Sequence, residues 1–254
     1  MQEKRTIALQ FGFISSPDYN YMFELHLGEG LSIQSTELSS PLLVLGKSGQ
    51  GKSVFLMNLV LELIKNGQKG YLYDPFGDIA LKVKAQLKAP EVLTRVEFVS
   101  HDDSATIAKA LNEKFVLIRG DMLDEGSRKA NDLARPLLKS ILAAADATSW
   151  IIIDEAFGMI DDELFGLYLS KSSPQLVLGA TELVGLSAKE RSQLFKATKN
   201  IALYKPRELD AKWLEENYSE LNAKDIGAIQ QYHFQFLHNE KLTYAAAPWP
   251  LPKL

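Results

Sequence analysis

The stretch Leu42-Leu43-Val44-Leu45-Gly46-Lys47-Ser48-Gly49-Gln50-Gly51-Lys52-Ser53-Val54-Phe55-Leu56-Met57 joins three kinds of local structure without a break. Four apolar residues make a strand buried on both faces, three glycines within six positions make a tight loop, and an apolar run then opens a helix. Gly46–Ser53 fits the pattern G-x-x-x-x-G-K-[ST]. In such a loop the glycines let backbone N–H groups turn inward around a phosphate, and the helix N-terminus adds positive potential. Gly46, Lys47, Ser48, Gly49, Gln50, Gly51, Lys52, Ser53 and Val54 are therefore the predicted phosphate cradle. Within it Lys52 would neutralise the β- and γ-phosphates, and the Ser53 hydroxyl would ligate Mg²⁺.

Working outward, apolar strands alternate with amphipathic helices. The strands are predicted at Leu42–Leu45, Gly70–Asp74, Val96–Ser100, Phe115–Arg119, Trp150–Asp154, Leu176–Thr181 and Ile201–Tyr204. Helices are predicted near Ser53–Lys65, Asp78–Leu87, Ser104–Asn112, Ser127–Ala145, Asp161–Ser170 and Ala188–Ala197. Strands apolar on both faces, separated by such helices, imply a mostly parallel α/β sheet with helices on both faces. Before residue 40 the pattern is one of short strands, Ile7–Phe11, Tyr21–Leu27 and a third around Leu31 and Ile33. The expected organisation is a small β appendage over 1–40, a nucleotide-binding domain over 41–240 and a proline-rich extended tail over 241–254.

A second acidic site is expected beyond the loop. Trp150-Ile151-Ile152-Ile153-Asp154-Glu155 is an apolar strand whose C-terminal end carries two carboxylates. In an open α/β sheet these strand ends line the ligand crevice, which places Asp154 beside Mg²⁺ and Glu155 as general base toward an attacking water.

The 254 residues are 46% hydrophobic and 24% charged, proportions that exclude a disordered or fibrous chain. Without cysteine there is no disulfide scaffold and no thiolate zinc site, which fits a cytoplasmic protein. A net charge of -4 gives no overall basic footprint for nucleic acid. No apolar run is long enough for a membrane span, so no direct membrane insertion is expected. His26, His101, His233 and His238 lack metal-ligand spacing and read as surface or hydrogen-bonded residues. Arg128, Arg135 and Lys139 on one helix, and Lys189, Arg191, Lys196 and Lys199, form two basic clusters that suit either solvent or DNA.

With these residues in view, the chain resembles the HerA/FtsK superfamily of P-loop ATPases, which includes DNA-pumping translocases, conjugative coupling proteins and viral genome-packaging ATPases. The resemblance rests on Gly46–Ser53, on Tyr73-Asp74-Pro75-Phe76-Gly77-Asp78, on the Phe115–Arg119 strand with its following long helix, and on Asp154-Glu155 before Leu176–Thr181. It implies a RecA-like fold, ATP and Mg²⁺ as ligands, and a homo-oligomeric, hexameric ring that hydrolyses ATP to move DNA in conjugation, packaging or processing. A relaxase, nuclease or capsid protein would then be a partner. A secretion or assembly ATPase acting on protein, and a weakly hydrolysing nucleotide-binding scaffold, are the alternatives.

Two positions depart from the family pattern. Where members carry Thr-Gln, with an amide that senses the γ-phosphate, this chain has Thr181-Glu182. Where many carry an arginine that reaches the neighbouring subunit's nucleotide, the equivalent is Lys171. Lysine can neutralise phosphate charge but lacks the bidentate fork. Arg207, after Pro206, is an alternative trans-acting arginine.

Overall fold

The helix that follows the glycine loop is apolar on every side, so it must be covered on every side. In the computed structural model this helix, α1 (Lys52–Lys65), buries Phe55 to Ile64 without interruption. One cover is a two-stranded antiparallel ribbon, β1 (Glu24–Gly28) and β2 (Leu31–Gln34). Its inward residues Leu25, Leu27, Leu31 and Ile33 share one apolar cluster with α1. The buried amide of Asn58 donates to the His26 carbonyl, which ties the ribbon to the middle of the helix. The structure describes residues 23–38, 40–100, 103, 106–107, 114–120, 127–157, 159, 163–164, 166, 175–183 and 186–247.

The other cover is the main sheet. Its strands are β3 (Leu42–Leu45), β4 (Gly70–Asp74), β5 (Val96–Ser100), β6 (Phe115–Arg119), β7 (Trp150–Ile153), β8 (Gln175–Ala180), β9 (Asn200–Leu203), β10 (His233–His238) and β11 (Lys241–Ala246). They lie in the order β11-β10-β9-β3-β8-β7-β4-β6-β5. The pairs from β9 to β5 are parallel, and only β10 and β11 run antiparallel to their neighbours. The fold is thus α/β with a mostly parallel sheet, as the alternation of strands and helices predicts.

Alternate residues of each strand feed two separate cores. Leu42, Val44, Leu72, Leu117, Ile152 and Val177 face α1 and α2 (Asp78–Gln86). Leu43, Leu45, Tyr71, Tyr73, Ile151 and Ile153 face the opposite layer, built on α4 (Ser127–Ala144), α5 (Ala188–Ala197), α6 (Glu208–Asn217) and α7 (Ala223–Gly227). A four-residue helix, α3 (Pro90–Leu93), leads into β5. Tyr71 and Tyr73 are accordingly packing residues. Among the described residues no helix is long and apolar enough to cross a membrane.

The structure departs from expectation at the C-terminal side. Lys241–Ala246, assigned to an extended tail, pairs with β10 residue for residue, from His238↔Lys241 to His233↔Ala246. The turn between them, Asn239-Glu240, has φ 48° and 64°, the two-residue geometry that matches strand twist. Glycine is the usual second residue of such a turn, and glutamate there conceals the hairpin. Of the predicted segments, Ile7–Phe11, most of Ser104–Asn112 and Asp161–Ser170, and residues 248–254 of the tail lie outside the described residues.

Because the ribbon closes over α1, it should behave as part of the core. Leu25 is fully buried, and Leu25→Ala should cost about 2–5 kcal/mol with a single unfolding transition retained. Urea unfolding measures this, and an unmoved midpoint would show the ribbon to be an independent attachment.

Candidate active site

The glycine loop hangs between the ends of three strands. Gly46 N–H donates to the carbonyl of Ala180, the last residue of β8, at 3.1 Å, and Lys47 N–H donates to the Lys205 carbonyl at 3.0 Å, just past β9. A side chain at Gly46 would meet Tyr204 Cβ at 2.5 Å, so only glycine passes there. Gly51 caps α1 with φ 118°, a conformation that L-residues avoid. A Cβ on it would crowd the rings of Tyr204 and Tyr232 at 3.1 Å each. The outer side of the loop is held as well: Tyr232 N–H donates to the Gln50 carbonyl at 2.8 Å, and the Gln231 amide donates to the Gly49 carbonyl at 2.8 Å. The loop therefore arrives at the N-terminus of α1 already shaped, with the first-turn N–H groups open toward an anion.

Lys52 is buried, and its ammonium donates to the carbonyls of Gly46 at 2.7 Å and Lys47 at 3.3 Å and to Thr181 Oγ1 at 3.3 Å. Thr181 Oγ1 in turn donates to Glu155 Oε1. Sheet order makes this chain of contacts. With β8 lying between β3 and β7, the residue leaving β8 stands between the lysine after β3 and the carboxylate after β7. Glu155 itself has φ 46°, an unusual setting for a non-glycine residue. Burial pulls the Lys52 ammonium below its ordinary value, opposed by the charges of Glu155 and Asp154.

Asp154 is buried at the end of β7, and its N–H donates to the Tyr73 carbonyl at 3.0 Å. Gly179 makes room for it, since a Cβ there would fall 2.6 Å from Asp154 Oδ1. Burial pushes the Asp154 carboxyl up to about 7, with the charges of Glu155 and Asp74 adding to the rise and Lys52 opposing it. Asp74 is also buried and raised by burial, but it is used structurally. Its Oδ1 accepts from Gly77 N–H at 3.0 Å and its Oδ2 from Ala80 N–H at 2.8 Å, which fixes the start of α2. A buried carboxylate crowded by like charges lacks positive charge, and a hard divalent cation with oxygen ligands supplies it. The donor set fits Mg²⁺: Asp154 and the half-buried Ser53 hydroxyl in the first turn of α1.

The residues Gly46–Val54, Asp154 and Glu155 thus lie at one end of the sheet. Glu182 follows Thr181, but its carboxylate pairs with the Arg207 guanidinium in the same chain. Lys171 lies outside the described residues. Arg191 lies over the Trp213 ring at 5.9 Å, and Lys139 pairs with Glu163, so one member of each basic cluster has a partner within the chain. Nδ1 of His26 bonds to Ser32 Oγ at 2.7 Å and Nδ1 of His238 to Asn200 Oδ1 at 2.6 Å. Among the described residues no cluster of three metal-ligating His, Asp or Glu side chains exists. Three positions that shape the site were absent from the predicted set: Thr181 as a bridge, Gly179 as the space beside Asp154, and Tyr232. Of these only Thr181 had a signal in the sequence, its place at the end of an apolar strand.

No protein-family model matches the chain, and no curated protein matches it by sequence. Solved structures do. The genome-packaging NTPase B204 of Sulfolobus turreted icosahedral virus 2, in complex with AMPPCP, superposes with a TM-score of 0.58 at 13% identity over 83% of this chain and 99% of that one. The plasmid coupling protein TrwB in complex with ADP and Mg²⁺ gives 0.62 at 11% identity over 86% and 88%. A trigonal form of the bacterial conjugative coupling protein TrwBΔN70 gives 0.63 at 11% over 91% and 90%. The fold is that of a P-loop NTPase. At these identities the likeness is one of architecture, and it matches the RecA-like reading of the sequence.

The protonation of Asp154 yields a stability prediction for metal-free protein. Its folded pKa of about 7 lies above the unfolded carboxylate value near 4. The folded state therefore binds the extra proton, and this contribution is full below about pH 4 and lost as pH rises through 7. Asp154→Asn should remove that decline and raise stability at pH 8, read from urea unfolding between pH 5 and 8 in chelator. An unchanged pH profile would mean that Asp154 ionises normally.

Proposed function

We propose that the chain is an ATP-hydrolysing motor of the HerA/FtsK type that assembles as a ring, a hexamer, and moves DNA. The observation that carries this reading is the contact chain Lys52–Thr181–Glu155 beside Asp154, set at the mouth of a shaped glycine loop. The same architecture in a packaging NTPase and a coupling protein supports the choice of cargo. DNA and ATP meet in the cytoplasm, which is where this reading places the protein.

In this reading the loop N–H groups and the Lys52 ammonium bind the triphosphate, with Lys52 exchanging its carbonyl partners for phosphate oxygens. Ser53 and Asp154 would hold Mg²⁺, which when bound would offset charge on the phosphates. Glu155, oriented by Thr181, takes the proton of the attacking water. Pairing with Arg207 offsets the charge of Glu182, which removes the repulsion that a carboxylate would otherwise exert on a triphosphate. Lys171 remains the proposed trans-acting cation, because Arg207 is occupied within its own chain. A relaxase, nuclease or capsid protein is the proposed partner, according to the process served.

Glu155→Gln should bind Mg·ATP within a few-fold of wild type and lose turnover by about 10²-fold or more. Lys52→Ala should lose both. Calorimetry beside a phosphate-release assay checks this, and full activity in Glu155→Gln would remove Glu155 from the chemistry. Double-stranded DNA should stimulate wild-type turnover. Stimulation by a protein cargo and not by DNA would transfer the motor to secretion or assembly, and negligible turnover with intact binding would make the chain a scaffold.

A further inference from the structure

A cavity of about 740 Å³ opens between α1, α2 and the root of the β10–β11 hairpin. Val54 and Met57 of α1, Ala85 and Gln86 of α2, and Tyr232 and Ala247 form its walls. Most of these side chains are apolar, so an apolar occupant displaces water from them at a gain. Ala247 is also the residue at which the hairpin gives way to Pro248-Trp249-Pro250-Leu251-Pro252. Those five residues lie outside the described ones, and the first of them starts at the cavity wall.

The hairpin sets the alternation that the next residues inherit. Ala247 N–H donates inward, to the Tyr232 carbonyl at 2.7 Å, whereas the Ala246 carbonyl accepts from Glu29 N–H at 2.9 Å on the outer side. Backbone groups of alternate residues point the same way, so odd-numbered residues here face the sheet and even-numbered ones face out. The prolines at 248, 250 and 252 fall on even numbers, where a missing N–H loses no bond to the sheet. Side chains alternate too. Ala245 is buried in the cluster that contains α1, Ala247 is buried at the cavity, and Tyr244 between strand neighbours is exposed. An extended chain that keeps this alternation puts Trp249 on the cavity side, with Leu251 after it. Ala247, Trp249 and Leu251 each precede a proline, which restricts all three to extended conformations. Two extended residues span about 7 Å, so Trp249 lies within reach of the walls.

We infer that this cavity is the seat of the chain's own Trp249, delivered within one molecule by the segment Pro248–Pro252. The lining suits an indole in each of its parts. Val54 and Met57 offer apolar surface and a polarizable sulfur, which favours aromatic contact. Lys82, which also lines the cavity, brings a cation, and tryptophan is the best aromatic partner for one. The Gln86 carboxamide oxygen can accept from the indole N–H. Tyr232 supplies a half-exposed ring, held at φ 62° by its N–H bond to the Gln50 carbonyl at 2.8 Å, so one wall is fixed before the indole arrives. Through Val54 and Tyr232 the seat adjoins the outer side of the glycine loop and uses none of the loop's N–H groups. The inference is therefore independent of what the loop binds.

The test labels the full chain with fluorotryptophan and reads its three fluorine resonances, from Trp150, Trp213 and Trp249. Trp249→Phe assigns one of them by its loss. In wild type the Trp249 resonance should show little of the shift that an exposed indole gives between light and heavy water, at every protein concentration. Ala85→Phe fills the cavity from an exposed position of α2 and should move that resonance to the full solvent shift, leaving the other two in place. Ala85→Glu, which puts a charge at the same exposed position, should do likewise, so the result does not hang on one variant. A full solvent shift of Trp249 in wild type would overturn the seat. A protected Trp249 that neither variant moves would overturn it as well, by placing the indole elsewhere. Protection that grows with protein concentration would overturn docking within one molecule and assign the cavity to the tail of a second copy.

Discussion

A buried ammonium in a site rich in carboxylates is the constraint around which the rest of this structure is arranged. Lys52 loses its hydration at the base of α1 and recovers it from two loop carbonyls and one threonine hydroxyl. Those contacts require the loop to fold back over the lysine, and the glycines at 46 and 51 allow it by leaving space that Tyr204 would otherwise contest. They also require Thr181 to stand beside the loop, and the placement of β8 between β3 and β7 provides that. The apolar helix that begins at Lys52 then needs cover on both sides, which accounts for the β1–β2 ribbon as a packing element and not an ornament.

The charge balance at the strand ends explains how a carboxylate at position 182 is accommodated there. A carboxylate at position 182 would be repelled by a triphosphate if it faced the site alone. Its pairing with Arg207 gives it a partner on the outer side of the strand ends. Buried Asp210 accepts from Leu183 N–H at 3.2 Å and feels both partners, its carboxyl raised by burial and by Glu182 and lowered by Arg207 and Arg191. Residues 181–183 are thereby tethered at consecutive positions, one to Lys52 and two to the start of α6.

Much of this was legible in the sequence, for reasons that differ by element. Gly46–Ser53 and Trp150–Glu155 are contiguous, and each couples a strand pattern to the polar residues at its end, so periodicity located both the strands and their chemistry. The central parallel strands were legible because apolar runs bounded by helices have few alternative readings. The β10–β11 hairpin was not, since Asn239-Glu240 lacks the glycine that signals its turn, and β11 at the sheet edge is mostly exposed. Gly179 and Tyr232 were hidden for a further reason. Their importance depends on what lies across the sheet end from them, Asp154 in one case and Gln50 in the other, and no local pattern encodes such a meeting.

The same cross-sheet bonds give a route by which the state of the loop reaches the rest of the molecule. Lys47 is bonded to Lys205, two residues before Arg207, while Gln50 is bonded to Tyr232 at the start of β10. An anion that draws Lys52 away from the Gly46 and Lys47 carbonyls alters the one segment that both bonds share. Pro206 stands between Lys205 and Arg207, and its fixed φ leaves that connection little freedom to absorb a shift. The loop is therefore linked by contacts to the segment that carries Arg207, and through its ion pair to Glu182 beside Thr181. The contacts then return to Glu155 through Thr181, so the glycine loop, Lys52 and Glu155 lie on one closed circuit. A circuit of that kind ties the placement of Glu155, whose φ of 46° is itself unusual, to the conformation of the loop.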